Sequence, residues 1–209
     1  MASPVFSPRF LVISLGNPGV HYESLHSAGH IVLNAVQQLL PAGQPRFTSA
    51  RIGKKASLAS LGPKYLFAQS PTLMNVSGPW VAKAWKDMLA ETGLAPDGLG
   101  LVLVHDDLEE ELGVVKIRSW DRSHRGHNGV KSVNASLRPS QSAGPRWTRI
   151  SVGIGRPGAR DHSSVSDYVL RPLDRRQKSA LQEQAAPAVL EALAEVESRW
   201  EKEFLAKAK

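Results

Sequence analysis

Two apolar runs constrain this chain more than any other feature. Phe10 to Leu15 (FLVISL) is rich in β-branched residues and ends at Gly16, and Leu99 to Val104 (LGLVLV) ends in the polar trio His105-Asp106-Asp107. Runs of this kind, without polar alternation, predict buried strands of a parallel or mixed sheet. In open α/β sheets, sites form beyond the carboxyl ends of the strands. The chain places Asn17 and His26 after one such strand and Asp106 after the other.

Length and a hydrophobic content of 42% suit one compact domain of α/β or α+β type over residues 1–209, with residues 1–9 as a flexible N-terminus. Asn17-Pro18-Gly19 is turn chemistry, with Pro18 fixing its own φ. Apolar residues at helical spacing predict a helix from Ser24 or Ser27 to Leu40, stopped by Pro41. A hairpin follows over Ala56 to Leu61 and Tyr65 to Ala68. A second helix runs from Val76 to Leu89, with Ser77 as its cap and Pro79 tolerated in the first turn. Val114 to Arg118 and Thr148 to Ile154 read as strands, Gly129 to Leu137 and Asp174 to Leu205 as helical. Ser140 to Pro145 is the expected flexible loop.

Composition narrows the classes of function. Lys plus Arg exceeds Asp plus Glu by 26 − 19 = +7, so the surface carries a positive field suited to polyanions such as RNA or an acidic membrane. The chain has no cysteine, which excludes disulfides, thiolate metal sites and a cysteine nucleophile. No run approaches the roughly 18 apolar residues that span a bilayer, and the N-terminus lacks a signal-peptide core. A protein acting inside the cell, without a membrane partner, is expected.

Several motifs, in order, carry a family resemblance: Gly16-Asn17-Pro18-Gly19 with Tyr22 and His26; Met74-Asn75; His105-Asp106-Asp107; and Gly126-His127-Asn128-Gly129. Gly153-Ile154-Gly155-Arg156-Pro157-Gly158 and Tyr168-Val169-Leu170 extend the series. Each string alone is common, but together they resemble the bacterial-type peptidyl-tRNA hydrolases over about Phe10 to Leu173. The resemblance implies a single α/β domain with a mixed, mainly parallel central sheet flanked by helices, which hydrolyses peptidyl-tRNA without a metal or organic cofactor, with His26 as the central catalytic group. It implies that Asn17 helps hold the substrate near that histidine and that Asn75 and Asn128 line the same cleft. Arg118 aligns with a basic residue that helps clamp the tRNA 5′ phosphate.

The residues suit that chemistry. An imidazole titrates near neutral pH and can take a proton from water, and Asp106 can fix its tautomer and stabilise the imidazolium. Asn17, Asn75 and Asn128 offer uncharged donors and acceptors for a carbonyl, a ribose or water, and Met74 offers an adaptable apolar wall. Tyr22 and His127 are expected beside the substrate, His127 ordering the loop or a water. Lys116 and Arg118 fall on one strand face and can reach phosphates. Each residue also has a plainer reading: Asn17 as a turn residue, Met74 as core, Asn128-Gly129 as a tight turn, Asp106-Asp107 as caps, Lys116 as the guard of a strand edge. His105 is expected to be structural, and His21, His30 and His162 have no evident partner. No HExxH-like pair supports a metal site.

The chain also departs from the family pattern. Leu25 and Ser27 stand where Arg and Asn usually flank the histidine, a charged loop from Asp121 to Arg125 replaces a glycine-rich run, and the second basic clamp position falls on Ser151, with Arg149 one same-face step away, so that either Arg149 substitutes or the clamp is weaker. These changes resemble a eukaryotic or organellar branch, in cytosol or mitochondrion. Peptidyl-tRNA is the expected partner, delivered by the ribosome or a rescue factor, and nothing calls for more than a monomer. The competing readings are a non-catalytic RNA-binding relative on the same fold, as in splicing complexes, and a serine esterase, for which no G-x-S-x-G string exists.

Overall fold

The computed structural model describes residues 6–41, 43–138, 146–158 and 161–207; the loop expected at Ser140 to Pro145 lies outside them. In chain order the elements are β1 (Arg9–Ser14), α1 (Ala28–Leu39), β2 (Thr48–Ile52), β3 (Lys55–Leu61), β4 (Tyr65–Gln69), α2 (Ser77–Thr92) and β5 (Leu99–Asp107). They continue with β6 (Val115–Ser119), α3 (Asn128–Ser136), β7 (Trp147–Gly153), α4 (His162–Leu170), α5 (Arg175–Ser179) and α6 (Ala186–Lys207).

The strands form a seven-stranded sheet in the order β2-β3-β4-β1-β5-β7-β6. The pairings β4/β1, β1/β5 and β5/β7 at its centre are parallel, while β2/β3, β3/β4 and β7/β6 toward its edges are antiparallel. The two apolar runs are neighbours at the centre of the sheet: Val12 lies opposite Val102 and Ser14 opposite Val104.

Strand pleating explains why both runs are apolar throughout. Successive side chains point to opposite faces. Phe10, Val12, Val102, Val104, Ile150 and Val152 join a core with α1 and α6, whereas Leu11, Ile13, Leu101 and Leu103 join a second core with α2 and α3. Each strand is therefore buried on both sides, and every such aliphatic side chain contributes about 1.5–3 kcal/mol through burial. Aromatic stacking of Phe10 on Trp200, with centroids 5.4 Å apart, ties the C-terminal helix to β1. Ahead of β1, Phe6 meets Phe204 at 5.4 Å.

Three local differences from the sequence reading have physical causes. Ser77 does not cap α2; its hydroxyl donates to the Met74 carbonyl at 2.8 Å, leaving the α2 start without a side-chain cap. β2 escaped notice because an edge strand with mostly exposed residues carries no apolar alternation. Between α5 and α6, residues Ala180–Ala185 form a wider π turn beside Pro187, whose ring clashes with the carbonyl four residues back in a regular helix.

Gly29 sets the position of the site. It begins the first turn of α1, and a Cβ there would stand 2.7 Å from the Val104 carbonyl oxygen and 2.8 Å from that of Leu15. The helix thus rests its backbone on the carboxyl ends of β1 and β5, bringing the preceding residues, His26 among them, over the strand ends. Gly29→Ala is expected to cost about 1–3 kcal/mol, as overpacking does, because both obstructing atoms are backbone. Urea unfolding checks this.

Candidate active site

Asp106 lies near the carboxyl end of β5, one pleat step from Val104, and therefore faces the layer of α1. Its carboxylate is 2% exposed and is held by two imidazoles: His26 Nδ1 at 2.9 Å from Oδ2 and 3.0 Å from Oδ1, and His127 Nε2 at 2.9 Å from Oδ1. The rings of His26 and His127 are 5.0 Å apart.

Hydrogen bonding assigns both tautomers. His127 is the N-cap of α3, and its Nδ1 accepts from the Val130 amide at 3.2 Å. The proton therefore sits on Nε2, which donates to Asp106. His26 donates through Nδ1, so its Nε2 carries the free lone pair, the atom a general base needs. Burial works against ionisation of Asp106, yet the two imidazoles overcome it and hold the carboxyl below the usual carboxylate range. Burial likewise lowers the pKa of His26, but the charge and hydrogen bond of Asp106 outweigh it and leave the imidazole above its ordinary value.

A cleft of about 650 Å³ opens over this triad. Asn17, Met74, Asn75 and Asn128 line it with His26 and His127. The Asn17 carboxamide oxygen accepts from the Met74 amide at 2.9 Å, which fixes the flip of the side chain and leaves its NH₂ as the donor. Ser27, where the family pattern has Asn, fastens the same loop: its hydroxyl accepts from the Asn17 amide at 2.9 Å and lies 2.7 Å from the His21 carbonyl. Tyr22 stands apart from the cleft lining. Its hydroxyl donates to Gln69 at 2.8 Å and accepts from Asn34 at 3.0 Å, so it braces the 19–27 loop from beneath.

The other histidines fall into place through burial. His105 gives its Nδ1 proton to the Asp106 carbonyl at 2.7 Å, and burial together with repulsion from His127 lowers its pKa to about 3. His30 is buried against the Ser14 hydroxyl at 2.8 Å, with its pKa lowered to about 4 by burial. Asp107, unlike Asp106, does take the turn-capping part: its Oδ1 accepts from the Glu109 amide at 3.0 Å.

The basic residues lie on one sheet face, where Lys116 pairs with Ser151 and Arg118 with Arg149 across β6 and β7. Arg118 borders the cleft. Its Nε donates to the Ser151 hydroxyl at 3.1 Å, and its Nη2 meets Asp107 at 3.2 Å and Glu110 at 2.5 Å. Lys116 Nζ lies 2.6 Å from Glu110. Arg149, the candidate substitute at the second clamp position, also lines the cleft. It is 1% exposed, and its Nε and Nη2 are spent on the carbonyls of Ser119 and Arg122. A guanidinium that satisfies backbone carbonyls so deep in the fold latches the loop leading to His127. Charge reading alone missed this role, as it missed Glu110, the partner 3.5 Å from Arg125 of the charged loop.

His26, Asp106 and His127 also form the cluster among the described residues whose ligand atoms lie close enough to surround a metal. Both imidazole nitrogens that face the carboxylate are proton donors in the tautomers assigned above, which suits an orienting relay better than a ligand set.

A mixed sheet, parallel at its centre, with an imidazole paired to a buried carboxylate at its carboxyl edge and a cleft above them defines an α/β protein with a candidate hydrolytic site. The chain belongs to the peptidyl-tRNA hydrolase family, whose sequence model matches residues 11–208. It is 39% identical over 165 residues to the peptidyl-tRNA hydrolase of Anaeromyxobacter dehalogenans, covering 77% of this chain and 76% of that one. It is 35% identical to peptidyl-tRNA hydrolase 2 of Corynebacterium glutamicum, covering 87% and 80%. A crystal structure of an Acinetobacter baumannii peptidyl-tRNA hydrolase superposes with a TM-score of 0.65 at 25% identity, covering 93% of this chain and 89% of that one.

The balance of burial against Asp106 makes a prediction. Asp106→Asn removes the charge that raises the His26 pKa and leaves the burial that lowers it, so the His26 titration moves to lower pH. Nitrogen-15 NMR of the imidazoles reads this shift directly.

Proposed function

We propose that this chain hydrolyses the ester bond joining a peptide to tRNA, with His26 as general base toward water and Asp106 as its orienting carboxylate. The observation that carries the reading is the free Nε2 of His26, fixed by the Nδ1 bond to Asp106, in a cleft bordered by uncharged amides. Water gives a proton to Nε2 as its oxygen bonds to the ester carbonyl carbon. The charge that develops on the carbonyl oxygen is met by an amide donor, for which the Asn17 NH₂ is available because its oxygen is taken by the Met74 amide; one such donor is worth roughly 2.7–4 kcal/mol. Collapse breaks the bond to the ribose oxygen, which takes the proton back from the imidazolium. The products are a peptide acid and tRNA with its hydroxyl restored.

Asn75, Asn128 and His127 position the substrate or the attacking water, and Met74 supplies the apolar wall. Arg118, with Lys116 beside it, receives a phosphate of the tRNA, which suits its position at the cleft and the net charge of +7. In this reading the enzyme acts as a monomer and recycles tRNA from stalled or released peptidyl-tRNA, in the cytoplasm or a mitochondrion, with delivery by the ribosome or a rescue factor. No helix among the described residues is long and apolar enough to cross a membrane.

His26→Ala is expected to lower kcat by about 10²- to 10⁴-fold while tRNA affinity stays close to wild type, because the phosphate contact lies elsewhere. In the wild type, kcat/KM should fall on the acid side with a limb above the ordinary imidazole value, since Asp106 raises the His26 pKa and only the unprotonated ring serves as base. A folded His26→Ala protein with near-normal turnover on labelled peptidyl-tRNA would overturn the mechanism.

Arg118→Ala should weaken binding alike across tRNA sequences and reduce the salt slope of log Kd by about one, because a phosphate contact releases counterions but reads no base. Filter binding across a salt series measures both.

A further inference from the structure

We propose that Glu110 is a built-in competitor for the phosphate that Arg118 and Lys116 receive, and that it limits how tightly the tRNA half of substrate and product is held. The proposal rests on the phosphate-binding reading of Arg118 given above.

The geometry of Glu110 is that of a phosphate stand-in. One oxygen accepts from Arg118 Nη2 at 2.5 Å and lies 3.5 Å from Arg125 Nη1, and the other lies 2.6 Å from Lys116 Nζ. Three cations thus converge on two oxygens of one anion, the pattern in which charge-assisted bonds to phosphate are made. The Lys116 bond, followed by that of Arg118, holds the Glu110 carboxyl below its usual range.

The two carboxylates at this cluster have different duties. Asp107 is anchored at the end of β5, with one oxygen spent on the Glu109 amide and the other on Arg118. It holds Arg118 in place whether or not a ligand is bound. Glu110 sits on the turn after β5, outside the sheet, and makes side-chain contacts only to the cations among the described residues. It can swing aside without disturbing a strand. When it does, Asp107 remains against Arg118, and Lys116, Arg118 and Arg125 turn their excess charge to the incoming anion.

Such a competitor has a use in turnover. A phosphate remote from the ester is the same in substrate, transition state and product. Affinity gained there is uniform binding, which lowers KM without raising kcat and retains the product equally. The cost of displacing Glu110 subtracts from all three states, so deacylated tRNA leaves more readily.

The test uses the full chain as wild type, Glu110→Gln, Glu110→Ala and Arg118→Ala, with deacylated tRNA carrying either a 5′ phosphate or a 5′ hydroxyl. Kd is measured by fluorescence anisotropy and KM and kcat on peptidyl-tRNA. Both Glu110 variants should bind the 5′-phosphorylated tRNA roughly fivefold tighter, about 1 kcal/mol at 1.4 kcal/mol per tenfold, with KM falling and no rise in kcat. The 5′-hydroxyl tRNA should gain less, so the preference for phosphate widens. If Arg118→Ala abolishes the phosphate preference but the Glu110 variants leave it unchanged or narrow it, Glu110 orients Arg118 rather than competing, and the proposal fails alone. If Arg118→Ala leaves the preference intact, the phosphate reading fails and the proposal with it.

Discussion

A carboxylate with 2% exposure is tolerable only if its charge is matched by donors. Asp106 meets that demand with two imidazole N–H groups, and the rest of the site follows from how those rings are held. His127 is tied at its other nitrogen to the first turn of α3. His26 is delivered by the turn ahead of α1, which Gly29 lets rest against the ends of β1 and β5. The helices on opposite faces of the sheet are thereby linked through one buried anion. Because His127 has no second nitrogen free, the arrangement leaves a single lone pair, on His26, for chemistry.

The two ends of the cleft, around His26 and around Arg118, are solved in opposite electrostatic ways. Around His26 the added polar groups are amides, whose donors act without competing charge, so the imidazole pKa answers to burial and Asp106 alone. Around Arg118 nearly every group is charged, and three cations face two carboxylates. Arg118, Asp107 and Glu110 are largely covered here, with side chains 14%, 7% and 12% exposed, whereas Lys116 and Arg125 reach solvent. Mutual pairing is what makes so many charges tolerable at the wall of a cleft.

The sequence made the centre of the sheet legible because burial on both faces leaves a chemical mark: every residue from Phe10 to Ile13 and from Leu101 to Val104 must be apolar. His26, Asp106 and the three asparagines were legible through motif order. What escaped was whatever depended on neighbours far along the chain. Arg149 in a basic strand reads as a solvated cation, and only the loop folding over it turns its donors to Ser119 and Arg122. Tyr22 belongs to the loop motif that begins at Gly16 yet faces Gln69 and Asn34 beneath it. β2 and the helix His162–Leu170 carry polar, mixed patterns that exposed edges permit and that no period betrays.

The loop from Ser119 to His127 is where the two ends meet. Arg149 latches its start from within the sheet, Arg125 reaches from its far part to Asp107 and Glu110, and His127 closes it on Asp106. Arg125 adopts a left-handed φ of +48°, followed by Gly126 at +83°, a conformation costly for a side-chain-bearing residue. That cost is offset by fixed contacts on both sides of it. The charged cluster and the Asp106 carboxylate thus share one piece of backbone, which Arg149 holds at its start and Asp106 holds at its end.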